Sequence, residues 1–191
     1  MGDFHSVTKH DIEQLLTDNQ VKISKILSLA MLSAPAIFLF FILFMNAKKE
    51  PLIGQSENSE FLQMYVYMVI FLAVAVYSII LVFPKIFLTP SALKKKIFVS
   101  NSIDKNTSTV MQLTGLDRSF MIIRYALLEA VALFSATGIF IVLTKSAYQL
   151  PENVWYLALP TLIHIVYILY DFPTKDKIIA RIEKLLSTIK N

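Results

Sequence analysis

Residues 121–143 read MIIRYALLEAVALFSATGIFIVL. As a helix this stretch rises about 35 Å, enough to cross the ~30 Å hydrocarbon core of a bilayer. It does so while carrying Arg124 near its start and Glu129 close to its middle. Three more runs of the same kind lie elsewhere in the chain: ILSLAMLSAPAIFLFFILFM (26–45), FLQMYVYMVIFLAVAVYSIILVF (61–83) and the segment from Val154 to Tyr170. Together they set the class. The chain reads as an all-α, polytopic membrane protein with spans at about 26–45, 61–83, 119–144 and 154–170, arranged as two hairpins. The composition agrees, since 55% of the 191 residues are hydrophobic and the mean hydropathy is +0.60.

Several function classes drop out at once. There is no Cys, which removes disulfides, thiolate metal sites and a cysteine nucleophile. The three histidines, His5, His10 and His164, are far apart, and no metal-ligand spacing occurs. No nucleotide-binding loop or nucleophile elbow is present, so no metal, cofactor or enzymatic activity is expected, and nothing points to nucleic acid. The first 25 residues are polar, and the run ending at Met45 continues into NAKKEPLIG without a small-residue cleavage site. The first span is therefore read as retained and not as a signal peptide.

The ends of the chain differ from its middle. Residues 1–25 form an N-terminal segment in which TKHDIEQLLTD (8–18) predicts a short amphipathic helix. Thr8 is its N-cap and Asp11 the partner in a capping box. Residues 173–191 form an amphipathic tail: Ile178, Ile179, Ile182, Leu185, Leu186 and Ile189 recur at helical spacing with charges between them. Such a helix is expected to lie on a membrane surface. Between spans two and three, residues 84–118 read as a loop, with Asp117 as a plausible N-cap for the third span. Pro35 and Pro160 fall inside spans one and four and predict kinks. Ser33 is a candidate to cover the carbonyl that Pro35 leaves without a donor. Tyr65 and Tyr67 suit an interfacial belt.

Lys and Arg fix the orientation. Fifteen lie in the N-terminal segment, the central loop with the start of span three, and the tail. Only Lys48, Lys49 and Lys145 lie in the two short loops. This places both termini and the central loop in the cytoplasm, with an inner-membrane location. The run Lys94, Lys95, Lys96 is the centre of that bias and a candidate for contact with anionic headgroups. Span two leaves through ILVFPK (80–85) and span four through ILYDFPTK (168–175), an echo consistent either with a duplicated hairpin or with chance use of Pro at a helix exit.

Charge inside the membrane is the remaining clue. An ionised side chain at the centre of a span costs about 2.5–3.5 kcal/mol on an insertion scale. Counted from Ser119, Glu129 lies about 15 Å deep, near the midplane, whereas Arg124 is shallow enough to snorkel. The two are five residues apart and do not share a helix face. Tyr125 is the better neighbour of Glu129 at i−4, and His164 falls at intermediate depth on span four. A polar cluster of Arg124, Tyr125, Glu129 and His164 is expected, inside the bundle or at a subunit contact. Ala126, Ala130, Ala132, Ala136 and Gly138 give this span a small-sided face that permits close helix approach.

Two resemblances follow from the same residues. RYALLEAVALFSATGIFIVL resembles the carboxylate helix of rotary ATPase c subunits, the proteolipids, which would make Glu129 an ion-binding carboxylate. Those subunits bear the carboxylate on the second helix of a hairpin and have a Gly-rich packing helix; Glu129 is on a first helix, and the chain has four Gly. The C-terminal part is more similar to a group of small uncharacterised bacterial membrane proteins with an R-x-A-L-x-E-x-x-A-L-F span and a P-T-x-x-K-I exit. Arg124, Ala126, Leu127, Glu129, Ala132, Leu133 and Phe134 fit the first pattern; Pro173, Thr174, Lys177 and Ile178 fit the second. The resemblance implies a four-helix membrane protein without an assigned activity. The resulting expectation is a non-enzymatic membrane protein that self-associates or serves as a subunit of a larger membrane assembly. The alternative is a proton- or ion-translocating protein centred on Glu129.

Overall fold

The computed structural model describes residues 7–51, 59–87, 89–90 and 105–190. The Lys94–Lys96 run lies outside them. The described chain is all-helical. In order, the elements are α1 (Lys9–Leu15), α2 (Asp18–Ala47), α3 (Ser59–Phe87), α4 (Lys105–Lys145), a 3-10 helix (Glu152–Ala158), α5 (Leu159–Tyr170) and α6 (Lys175–Lys190). Four stretches are long and apolar enough to cross a membrane: Asp18–Ala47, Glu60–Ile86, Thr107–Lys145 and Glu152–Tyr170.

The chain divides into two compact units. The first comprises Met1–Ser28, Ile79–Arg124 and Phe172–Asn191. Its core is built from α1, the N-terminal part of α4 and α6. Ile178, Ile182, Leu185 and Ile189 follow an i, i+4, i+7, i+11 seam and are buried together with Ile12, Leu16, Val110 and Leu113. This corrects the expectation for the tail, because the face assigned to a membrane surface is covered by the chain's own residues. The same burial explains α1. Seven residues are too few for a stable isolated helix, but Thr8 and Asp11 form a reciprocal capping box and Ile12 is fully buried. The Thr8 backbone N–H and hydroxyl both donate to the Asp11 carboxylate at 2.7 Å. These bonds hold that carboxyl below its ordinary range. Its contribution is thus present above the ordinary carboxyl pKa and fades as pH falls through the lowered one.

A second correction concerns residues 105–118, which read as loop but form the first turns of α4. The buried positions there are Thr109, Val110, Leu113, Thr114 and Asp117, a helical stripe carried mostly by polar residues. Thr114 donates to the Val110 carbonyl at 2.8 Å, so burial leaves its hydroxyl satisfied within the helix. Asp117 is therefore no N-cap. It lies in mid-helix and pairs with Arg181 on α6 at 2.9 Å. Phe83, near the end of α3, meets Phe120 edge-on with ring centroids 5.6 Å apart.

The second unit comprises Leu29–Ser78 and Tyr125–Asp171. Leu39, Ile42, Leu62, Tyr65, Val69, Ala136, Ile139 and Leu143 are among its buried residues. Gly138 sits where a Cβ would lie 2.2 Å from the Tyr65 ring, so only Gly admits that ring. Tyr65 is consequently no interfacial residue: it is buried, stacks on Phe134 at 5.1 Å and donates to the Phe134 carbonyl at 2.6 Å. Tyr67 is exposed. The end of the unit near Lys145 is tied by its loops. Lys49 donates to the carbonyls of Leu143 and Ser146, placing a cation at the negative end of α4. Asn46 accepts from the Leu150 N–H at 2.7 Å, and Glu50 accepts from the Gln149 N–H at 2.8 Å.

The two Phe-Pro exits differ in structure. Pro84 lies inside α3, whereas Pro173 falls between α5, which ends at Tyr170, and α6, which starts at Lys175.

Candidate functional site

The polar groups buried in the second unit form a seam along α4 and α5, and each has a helix-to-helix task. Ser135 on α4 donates to the Leu157 carbonyl in the 3-10 helix. Thr161 on α5 donates back to the Ala132 carbonyl of α4 at 3.1 Å. The geometry follows from Pro160. It is not an internal kink; it stands in the first turn of α5, where the missing N–H is not needed. As the proline that follows a 3-10 helix, it leaves the Leu157 carbonyl without a 3-10 donor from residue 160, and the Ser135 hydroxyl supplies a bond there.

Pro35 does lie inside its helix. It withholds the N–H that the Met31 carbonyl would otherwise receive. Ser33 does not cover that carbonyl, since its hydroxyl donates to Ala30 at 2.8 Å. The His164 ring does: Nε2 lies 3.2 Å from the Met31 oxygen. A carbonyl oxygen only accepts, so Nε2 carries the proton. His164 is 1% exposed, and among the described residues its buried Nδ1 has no hydrogen-bond partner. His164 and the proline inside α2 thus explain one another.

Tyr125 is fully buried. Its hydroxyl lies 3.1 Å from the Asp171 carboxylate, and its ring meets Tyr167 edge-on at 6.2 Å. Asp171 is the C-cap of α5, so that helix ends level with Tyr125. From Tyr125 to Lys145, α4 rises about 30 Å, the thickness of a hydrocarbon core. Measured along α4 from this level, Glu129 lies one turn further on, about 6 Å. Glu129 is half-buried, and among the described residues its carboxylate makes no hydrogen bond or ion pair.

Of the four residues expected to cluster, Tyr125, Glu129 and His164 belong to the second unit and Arg124 to the first. No hydrogen bond joins Glu129 to Tyr125 or His164 among the described residues. Tyr125 is committed to Asp171, and His164 to Met31. Ser135, Thr161 and Asp171 were not singled out in the sequence. Ser and Thr in a span signal only a possible helix contact, and Asp171 read as the first residue outside the membrane. No group of His, Asp or Glu among the described residues is arranged to hold a metal ion.

No protein-family model, curated protein or solved structure matches the chain.

Proposed function

We propose that the protein is a non-enzymatic integral membrane protein, with its four spans as two hairpins, that works as a subunit of a membrane assembly built from copies of itself. The observation that carries this reading is the use of the buried seam. Tyr65, Ser135, Thr161 and His164 each bond a backbone carbonyl on another helix segment, as fasteners do. Acid–base chemistry needs side chains left to face a substrate. Glu129 is the exception, and it sits on the flank of the stripe formed by Leu128, Ala132 and Ser135. A half-buried carboxylate one turn inside the core needs a partner or a proton. The partner assigned here is a donor from a second copy. The resemblance to small bacterial membrane proteins supports an inner-membrane location.

Size measurement in detergent and in native lipid particles tests this. Glu129→Gln keeps a hydrogen-bonding side chain and is expected to retain the oligomer. Glu129→Leu removes it and is expected to shift the equilibrium to smaller species by roughly 3- to 18-fold, for a bond worth about 0.6–1.7 kcal/mol in a membrane. Identical profiles for wild type and both variants would reject assembly through Glu129.

The second reading, ion carriage, draws on the same unpartnered carboxylate. It requires that a carboxyl-reactive carbodiimide label Glu129 and that low pH or Na⁺ change the labelling. The position about 6 Å from the level of Asp171 favours the first reading, because a carrier in a rotary proteolipid-like role needs its carboxylate deep in the core.

The orientation proposed has both termini in the cytoplasm. The three lysines of the opposite side support it, since Lys49 closes the end of α4 and Lys48 and Lys145 lie over the rings of Phe44 and Phe61. Protease added to intact cells is expected to leave the 173–191 tail uncut, whereas inside-out vesicles should lose it. Cleavage in intact cells would reverse the topology.

A further inference from the structure

We propose that the groove between α3 and α4 in the second unit binds one acyl chain of an anionic phospholipid, from the leaflet that surrounds the N-terminal end of α3. The proposal rests on the membrane-spanning reading of the chain and is independent of self-assembly. The groove has a volume of about 600 Å³ and is lined by Met64, Tyr67, Met68, Phe71, Leu72 and Phe134. Its floor is Leu72 and Phe134, both half-buried. Its rims are Met64, Met68 and Phe71, which are exposed. An empty apolar groove within a bilayer loses dispersion contacts along its whole lining. Hydrocarbon therefore fills it, and the unbranched, flexible Met side chains can adapt to a chain's shape.

The polar groups at one end select a whole lipid over a bare hydrocarbon. Helical side chains lean towards the helix N-terminus, which carries the Tyr67 hydroxyl up to Gln63. There it accepts a hydrogen bond from the Gln63 amide at 3.1 Å. Its own proton remains available to donate, so Tyr67 can bond a headgroup or ester oxygen. One step further up, exposed Lys145 lies 5.4 Å from the centroid of the Phe61 ring. Phe61, Met64 and Met68 share a face of α3 at i, i+3 and i+7, so the ammonium stands above the groove. From Phe61 to Leu72 the helix rises about 16 Å, close to half of the ~30 Å core. A cation, a phenol donor and an apolar slot one leaflet deep match the charge, ester and chain of a single phospholipid.

The test uses the full chain in nanodiscs that contain phosphatidylglycerol bearing a photoactivatable diazirine on one acyl chain, with adducts mapped by mass spectrometry. Adducts are expected to concentrate on Met64, Met68, Phe71 and Phe134, at least 5-fold above the exposed faces of α2 and α5. Leu72→Trp, which fills the floor, is expected to remove that excess. Lys145→Gln is expected to leave adducts with phosphatidylcholine unchanged while removing the preference for phosphatidylglycerol. Size profile and thermal transition identify any variant that fails to fold, and Met68→Phe then serves as the second groove-filling change. Even labelling around all exposed faces would overturn the proposal, as would cross-links from the groove to a second copy. If the chain were extracted from vesicles by alkaline carbonate, the membrane reading itself would fail, a result distinct from uniform labelling.

Discussion

Ile182→Ala is expected to destabilise the first unit by about 2–5 kcal/mol and to release α1 and α6 together. Ile182 is fully buried, at the centre of a core that also holds Ile12, Leu16, Val110 and Leu113. Removing a buried Ile side chain down to Cβ loses the transfer free energy of three carbons and leaves a cavity, which together account for that range. Ion pairs among the unit's described residues include Arg181 with Asp117 and Lys9 with Glu183 at 3.8 Å, and the second, with Lys9 exposed, contributes little. Hydrogen exchange followed by mass spectrometry checks the prediction. Amides of residues 9–15 and 175–190 should lose protection together, while those of the second unit's helices should not. Lys184→Ala, at an exposed position, is the control and should change nothing. If α6 lay on a bilayer, Ile182→Ala would weaken lipid contact and leave α1 protected, so the protection of α1 distinguishes the two arrangements.

How far the sequence could carry the fold follows from which residues bear each signal. The four long apolar helices were legible because runs of that length and apolarity keep few other readings. The seam of α6 was legible as a helix, since six apolar positions keep its period, but its destination was not. An amphipathic face specifies that it must be covered, without specifying by what. The start of α4 was missed because its buried stripe is carried by Thr109, Thr114 and Asp117 as much as by Val110 and Leu113, and a search for apolar periodicity passes over it. At the candidate site, Glu129 and His164 were visible as anomalies of composition. Their partners were not visible, because Met31 contributes a backbone carbonyl and every residue has one. Only the arithmetic of proline pointed there: residue 35 minus four is residue 31.

Replacing His164 with Leu is expected to cost about 1–3 kcal/mol in the wild-type background and much less in a Pro35→Ala background. In the wild type residue 35 offers the Met31 carbonyl no N–H, and the His164 Nε2–H at 3.2 Å bonds it instead. Losing that donor strands a buried acceptor, which costs about 1–3 kcal/mol; interhelical bonds in membranes have measured at about 0.6–1.7 kcal/mol, so the lower half of the range is favoured. Pro35→Ala restores an N–H at residue 35 and lets the Met31 carbonyl close its own helical bond. The histidine then holds a carbonyl that is already satisfied, and its removal mainly exchanges one side chain's packing for another's. Unfolding in mixed micelles of the four proteins in this double-mutant cycle gives the coupling energy directly, with about 1 kcal/mol or more expected. A coupling near zero would mean that His164 and Pro35 act independently, and that water or α2 itself satisfies Met31. The sign also separates this account from a catalytic histidine. A relay residue has no reason to become dispensable for stability when a proline 129 positions earlier becomes alanine, whereas a histidine present to repair that proline's helix does.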